Sequence, residues 1–404
     1  MEKTNQKTAN KTRKNAYSAI ILLGIVSLMG DVVYEGSRGI IPSYLEFLGA
    51  SALIVGLIGG LDLLAYVARL ATGFLADKTK AYWLFIFIGY GLIVSIPLLG
   101  IATGFGMIIL LISLERLGKA FRSPARDTVL SIISKDVGAG KAFGLHEFMD
   151  QLGAMIGPLL VGGLMFYSLS NYGYTFSFLL LPFLMLLGAL FFTYRKISSR
   201  TIIEPTITQE KNRKLERPFY IYTLAVLLNT VGLVQYTLIL FKASRILEPL
   251  NLNWIVPLIY LLIQGVDAPT ALISGYAYDK FGIRILIIPF VLSIFPSLLT
   301  MFNSDLTILI VASAIFGLVL GMQESIYRAA VSELTPISSR GTAYGIFNTA
   351  YGVGLALSGA IYGLFIDYNS PLSAVVFYAL ALQIVATILL LNACSKLKRQ
   401  SENL

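Results

Sequence analysis

The stretch GFLADKTK, residues 73–80, returns 202 residues later as GYAYDKFGIR, residues 275–284. Each copy leads with a glycine and carries an aspartate and a lysine four and five residues on. The first has Gly73, Asp77 and Lys78; the second has Gly275, Asp279 and Lys280, followed by Gly282 and Arg284. Each closes a long apolar run, 52–75 and 254–277. A second correspondence, at a spacing of 201, pairs Ala142-Phe-Gly144 with Ala343-Tyr-Gly345 and Gly153 with Gly354. Self-similarity at a nearly constant offset in an apolar chain marks two parallel repeats, and such repeats hold one site between them near the bilayer midplane.

The apolar runs set the class. The 404 residues are 56% hydrophobic and 13% charged, with a mean hydropathy of +0.76; a soluble protein carries about 25% charge. A spanning helix needs about 20 mainly apolar residues. Twelve runs qualify: 17–41, 52–75, 82–102, 104–123, 142–166, 174–194, 219–241, 254–277, 283–301, 306–327, 342–366 and 371–394. They are long and continuous, which excludes a β-barrel. The expected fold is an all-α membrane protein of twelve transmembrane helices in two six-helix repeats. Residues 1–16 form a cytoplasmic tail, 17–194 the first bundle, 195–217 a cytoplasmic linker, 218–394 the second bundle and 395–404 a second tail.

Lysine and arginine stay on the cytoplasmic side. Of the 31 basic residues, 26 fall in the segments that share a side with the termini. Both termini are therefore expected in the cytoplasm of a cell (plasma) membrane protein. The net charge of +9 is absorbed by this topology, so nucleic acid is not an expected partner. Cys394 and His146 are the only residues of their types. No internal disulfide, thiolate metal site or histidine-ligated metal is expected, and no cofactor. The polar basic start and the long first apolar run are unlike a cleavable signal peptide.

The spans carry charges that hydrocarbon does not tolerate bare. Asp31, Glu35 and Arg38 share one face of span one, at i, i+4 and i+7. Arg38 reads as an interfacial anchor near the outer end of that span, paired with Glu35. Asp31 lies deeper and is expected to face a water-filled cavity. Asp62 sits near the middle of span two, with Arg69 seven residues on. Glu115, Lys119, Arg122 and Arg126 form a stripe on span four, with Arg116 off it. On span five, Glu147 and Asp150 are i, i+3, His146 reads as a packing residue, and Asp150 is expected to meet a cation of span four. The second half has Gln264, which stands 202 residues after Asp62, and then Asp267, Glu324 and Arg328. The first half is thus richer in ionisable groups, which suggests that it handles protons while the second grips solute. Asp31 and Asp62 are the first proton-coupling candidates, then Glu115. Tyr34, Tyr66, Tyr236 and Tyr260 are expected near a cavity, with Glu35, Lys119, Asp150, Gln264, Asp267 and Glu324. Carboxylates and tyrosines suit an amphiphilic cation; Arg69, Arg116 and Lys119 suit an organic anion. The residues leave that choice open.

These features together resemble the major facilitator superfamily over the whole chain. The G-x-x-x-D-[RK] loop after span two, repeated after span eight, is the hallmark of that superfamily. The run Gly144, Gly153, Gly157, Pro158, Gly162 and Gly163 on span five resembles the antiporter motif of its proton-coupled exporters. Val161 stands where a glycine is usual, and Lys80 where the first loop usually has glycine. Arg116 matches an arginine of the proton-transfer motif, although Lys119-Ala120 replace the following Gln-Gly. The resemblance implies alternating access, a monomer, and export of a small organic solute in exchange for protons. The loop residues would latch the two halves, and the span-five glycines would make a tight contact between them. Alternatives on the same fold are a lipid or lysolipid flippase, a proton-coupled symporter of an organic anion and, further off, a membrane sensor. No nucleotide-binding loop or nucleophile triad points to an enzyme.

Overall fold

The computed structural model describes residues 2–134, 137–197, 214–302, 305–336 and 339–402. The regular structure in them is helical throughout. Among the described residues, ten segments are long and apolar enough to cross a bilayer. Two of the twelve expected spans, 254–277 and 283–301, lie in one such segment, Asn253–Phe302. Span 104–123 lies in a helix, Phe105–Ile133, that is not among the ten. Its six charges between Glu115 and Asp127 lower its hydropathy. The linker expected at 195–217 lies mostly at 198–213, outside the described residues.

The chain divides into two compact units. Unit 1 comprises Met1–Arg38 and Ala68–Ile207; unit 2 comprises Gly39–Val67 and Thr208–Leu404. The division cuts through α1 (Glu2–Phe47) and α3 (Asp62–Thr79), with α2 (Ala52–Gly59) wholly in unit 2. Unit 1 continues with α4 (Tyr82–Gly91), α5 (Ser95–Leu98), α6 (Phe105–Ile133), α7 (Ala139–Tyr167), α8 (Tyr172–Phe178) and α9 (Leu180–Ile197). Unit 2 continues with α10 (Arg217–Val231), α11 (Tyr236–Leu247), α12 (Val256–Phe281), α13 (Ile287–Leu292) and α14 (Ile294–Phe302). It ends with α15 (Leu306–Met322), α16 (Arg328–Leu334), α17 (Arg340–Asp367) and α18 (Leu372–Glu402); a π-helical turn, Gln323–Tyr327, joins α15 to α16.

Lipid tails are as apolar as leucine, so helices associate through close packing and small residues. In unit 1, a Cβ on Gly89 of α4 would lie 2.7 Å from the Gly118 carbonyl oxygen of α6. One on Gly157 of α7 would lie 2.7 Å from the Val32 carbonyl oxygen of α1. The span-five glycines Gly153 and Gly157 thus press on α1 inside their own unit. Nothing lies within 4 Å of a Cβ at Gly144, so that glycine marks no close approach. In unit 2, Gly56 of α2 meets the backbone of Gly359 of α17, and the Asp367 carboxylate accepts from the Ala52 and Leu53 amides at 2.8 and 2.9 Å. Asp367 therefore caps α2, satisfying amides that a helix start leaves bare.

Span seven is broken. Between α10 and α11, residues 232–235 leave the helical path while fully buried. Side chains distant in sequence replace the lost ladder. Tyr362 donates to the Gly232 carbonyl at 2.7 Å, Ser297 receives the Val234 amide at 2.9 Å, and Ser358 donates to the Leu233 carbonyl. Irregular backbone at membrane depth survives where protein groups satisfy it.

The repeated loops end alike. Gly282 closes α12 at φ +65°, and Lys80 closes α3 at φ +55°. The second copy has the residue suited to left-handed backbone; the first forces it on a side chain with a Cβ. Lys80→Gly is therefore expected to stabilise the protein by about 1 kcal/mol, read as a higher melting temperature in detergent. A lower one would show that the Lys80 side chain holds the turn.

Candidate functional site

In unit 1 the charges of α1, α6 and α7 converge. Asp31, Glu35 and Arg38 are 6%, 5% and 9% exposed. Arg38 Nη1 donates to Glu35 Oε1 at 3.2 Å. α1 runs nine residues past Arg38, through Pro42, to Phe47. Arg38 therefore lies well inside the helix rather than at its end. From α6, Glu115 accepts from Arg116 at 2.9 Å and lies 3.8 Å from Arg122. Arg38 and Lys119 are its other cationic neighbours, so one carboxylate stands among four cations. Tyr34 of α1 is buried in the same cluster. Lys119, Arg122 and Arg38 lie 5.1, 4.9 and 5.3 Å from its ring centre, within cation–π range.

A second layer adjoins this one. Arg126 donates to Ser27 Oγ at 2.8 Å and to Asp150 Oδ2 at 3.4 Å, and its Nη2 is 3.0 Å from Asp127. Asp150, expected to meet a cation of span four, meets this one. His146 Nδ1 is 3.5 Å from Asp150 Oδ1. Asp31 links the layers. Its charged neighbours are Asp150, Glu35 and Lys119, and it shares a hydrogen bond with Tyr34. A Cβ at Gly153 would sit 2.7 Å from that of Asp31, so the glycine lets α7 close over this carboxylate. Asp62 is placed differently. Span two breaks at Gly60-Leu61, and Asp62 opens α3, where the helix dipole favours a carboxylate.

Unit 2 holds a small polar cavity of about 30 Å³. Tyr66 of α3 lines it with Gln323, Glu324, Tyr327 and Arg328 of the π turn and its exit, and α17 adds Phe347, Asn348 and Tyr351. π-helical turns inside α-helices occur often at functional sites. This one is held by a buried polar network. Tyr222 donates to the Tyr327 carbonyl at 2.9 Å, Tyr327 to Asn229 Oδ1 at 2.7 Å, and Tyr351 to Gln323 Oε1 at 3.0 Å. Asn229 also donates to Gln383 at 2.7 Å. Tyr66 and Tyr351 meet edge to face, 5.9 Å between centres. Of the residues expected in a cavity, Tyr66 and Glu324 line this one. Tyr236 packs instead on Tyr260 and Phe316, 5.1 and 6.4 Å between centres. Gln264 and Asp267 are buried in α12. The loop residues Asp77 and Asp279 are exposed, and Asp77 accepts from Tyr82 at 2.9 Å.

The sequence reading missed Gln323, Tyr327, Asn348 and Tyr351. Their signal was in the repeat: Arg328 stands 202 residues after Arg126, and Tyr351 stands 201 after Asp150. The cavity thus occupies the place in the second repeat that the Arg126–Asp150 ion pair fills in the first. Among the described residues, no group of three or more His, Cys, Asp or Glu is placed to hold a metal ion.

The family model of the Major Facilitator Superfamily matches residues 20–302 and 247–402. An uncharacterised protein of Mycobacterium tuberculosis is 33% identical over 390 residues, 95% of this chain and 94% of that one. An uncharacterised MFS-type transporter of Methanocaldococcus jannaschii is 27% identical over 359 residues, 86% of this chain and 87% of that one. Among solved structures, the nucleoside transporter NupG superposes with a TM-score of 0.68 at 15% identity, covering 93% of this chain and 98% of that one. A POT family transporter in complex with a thioalcohol-conjugated peptide superposes at 0.75 and 13% identity, covering 94% and 96%. At such identities the likeness is one of fold.

Removing one partner of a buried ion pair costs about 3–5 kcal/mol, because the other charge is left bare. Glu115→Gln leaves its cations without their shared carboxylate and is expected to destabilise the protein by about 3 kcal/mol. Unfolding of the purified protein, followed by circular dichroism in a denaturing detergent titration, measures it. Wild-type stability in this variant would mean that the cluster is not held together by Glu115.

Proposed function

The chain belongs to the Major Facilitator Superfamily, and we propose that it is a secondary transporter that moves a small organic solute out of the cell in exchange for protons, by alternating access. The observation that carries this reading is the split of chemistry between the units. Unit 1 holds a buried web of carboxylates and cations, and unit 2 a cavity lined by tyrosines, amides and one charge of each sign. A small-solute site is a concave pocket with a few placed polar groups, and the unit 2 pocket is lined by such groups. A charged group inside a membrane protein marks an ion or proton path.

Asp31 is the proposed proton carrier. Its neighbours include two carboxylates and one amine, whereas Glu115 is set among cations only. Asp150, Glu35, Lys119 and Tyr34 are the groups that would sense its charge, and Gly153 keeps α7 against it. Glu115 and Arg116 hold the α6 side of the cluster, and Asp62 is a second carrier candidate. The loop residues at Gly73–Lys78 and Gly275–Arg284 would act as conformational latches. The chain is taken to work as a monomer in the cell membrane, its termini in the cytoplasm, with protons and solute as its partners and no cofactor.

Everted membrane vesicles with an acid interior and a pH-sensitive dye test this reading. Small acids, amines and amphoteric compounds are added in turn. A transported solute should dissipate the pH gradient with wild-type protein, and Asp31→Asn should abolish the response while leaving solute binding measurable. An undiminished response from Asp31→Asn would remove that residue from the proton path. A solute that deepens no proton leak yet crosses the membrane would turn the reading toward a flippase or uniporter.

A further inference from the structure

The last turn of α9 carries two cations, Arg195 and Lys196, both exposed. Among the described residues neither forms an ion pair. Each lies instead over a ring one turn back on its own helix. Arg195 is 4.6 Å from the centre of Phe191, and Lys196 is 5.8 Å from that of Phe192, both within cation–π range. The neighbours of this turn fix its orientation. Thr193 and Ile197 are 0% and 1% exposed and mark the side packed inward. Tyr194 meets Trp83 and Phe87 of α4 edge to face, at 5.2 and 5.4 Å between centres. Lys196 donates to Ser18 Oγ of α1 at 3.1 Å. Arg195 stands between these two flanks, about 100° from each around the helix. It therefore points away from the packed side, onto the outer surface of a membrane-spanning segment, Tyr172–Ile197.

A gap lies beneath the two cations. Gly188, Phe191, Phe192 and Arg195 fall at i, i+3, i+4 and i+7 and share one face. Phe191 and Phe192 are 50% and 56% exposed, and nothing lies within 4 Å of a Cβ at Gly188. Aromatic rings and snorkelling cations are common at a membrane interface. Here they come with open charge, a wall of rings and room for a chain. In the topology proposed above, α9 ends on the cytoplasmic side, where anionic lipids attract basic residues beside a span. We propose that this face of α9 binds one anionic phospholipid, with its phosphate on Arg195 and Lys196 and an acyl chain in the gap at Gly188, along Phe191 and Phe192. A guanidinium presents a forked donor to phosphate, and an ammonium adds a point charge. The headgroup supplies the counter-charge that the described residues do not. Because Lys196 reaches α1 and Tyr194 leans on α4, the bound lipid braces three helices of unit 1.

Three probes test it on the purified, delipidated full-length protein in detergent: dioleoyl phosphatidylglycerol, dioleoyl phosphatidylcholine and glycerol phosphate. The two lipids share their chains and differ in headgroup charge; the third is an anionic headgroup with no chain. A bound ligand raises the melting temperature by mass action. The expected result is a concentration-dependent rise with phosphatidylglycerol, a smaller one with phosphatidylcholine and none with glycerol phosphate. Arg195→Gln and Lys196→Gln should each weaken phosphatidylglycerol by about fivefold, and the double variant more. Gly188→Leu keeps both charges but fills the gap, and should weaken it too. None of these variants should alter the response to phosphatidylcholine. All three positions are exposed, and each variant is first shown to have an unchanged melting temperature without lipid. If Gly188→Leu alone misfolds, the charge-removing variants decide.

Equal stabilisation by the two lipids would reduce the rings and cations to an ordinary interfacial belt and overturn the proposal. Phosphatidylglycerol stabilisation that survives the double variant would do the same, by placing the lipid elsewhere. So would a rise with glycerol phosphate that matches the lipid's, which would make this a phosphate site. An undiminished response in Gly188→Leu would overturn the seat at the gap. The proposal involves neither the charged cluster of unit 1 nor the cavity of unit 2, so failure of the transporter reading would leave it standing.

Discussion

Hydrocarbon tolerates no bare charge: a charge near the bilayer centre costs on the order of 3 kcal/mol or more unless it is paired or hydrated. That constraint organises this chain. In unit 1 it is met by mutual neutralisation. Glu115 sits among four cations, Arg38 folds back on Glu35, and Arg126 is divided between Asp127 and Asp150. Helix packing serves the same end. Gly153 and Gly157 draw α7 onto α1, which brings Asp150 and Asp31 close enough to sense each other. In unit 2 the constraint is met by uncharged groups. Asn229, Gln383, Gln323 and Tyr327 satisfy one another in the core, while Glu324 and Arg328 line a cavity.

The two repeats have diverged in what they do with the same positions. Where the first repeat closes a salt bridge, the second has a tyrosine and space. The loops diverge less. Lys80 takes a positive φ, as Gly282 does, but with a Cβ in the way. Divergence in the side chains that face inward, over a preserved backbone, fits the proposed division between proton handling and solute binding.

The helical membrane class and most span centres were legible in the sequence, because apolar length is a one-dimensional signal. The charges that define the unit 1 cluster were legible as a stripe on span four and a face on span one. The end of span one was not: it was read at residue 41, yet the helix continues through Pro42 to Phe47. The same charges that build the cluster also make α6 less apolar than its neighbours. The break at 232–235 was illegible because the groups that repair it, Ser297, Ser358 and Tyr362, lie 63 to 130 residues away. The cavity was hidden for the same reason, since Tyr66, Glu324 and Tyr351 come from three separate helical elements. Only comparison of the repeats position by position would have shown that Ala329 and Tyr351 stand where the first copy has Asp127 and Asp150.

Asp31 bears most of the proposed mechanism, and its proton can be watched without knowing the solute. Infrared pH-difference spectroscopy of the purified protein in lipid separates protonated from ionised carboxyl groups. If Asp31 is the carrier, a protonated-carboxyl band should appear and vanish with pH in the wild type and be missing in Asp31→Asn. An identical titrating band in both proteins would contradict that assignment and move proton coupling elsewhere in the chain.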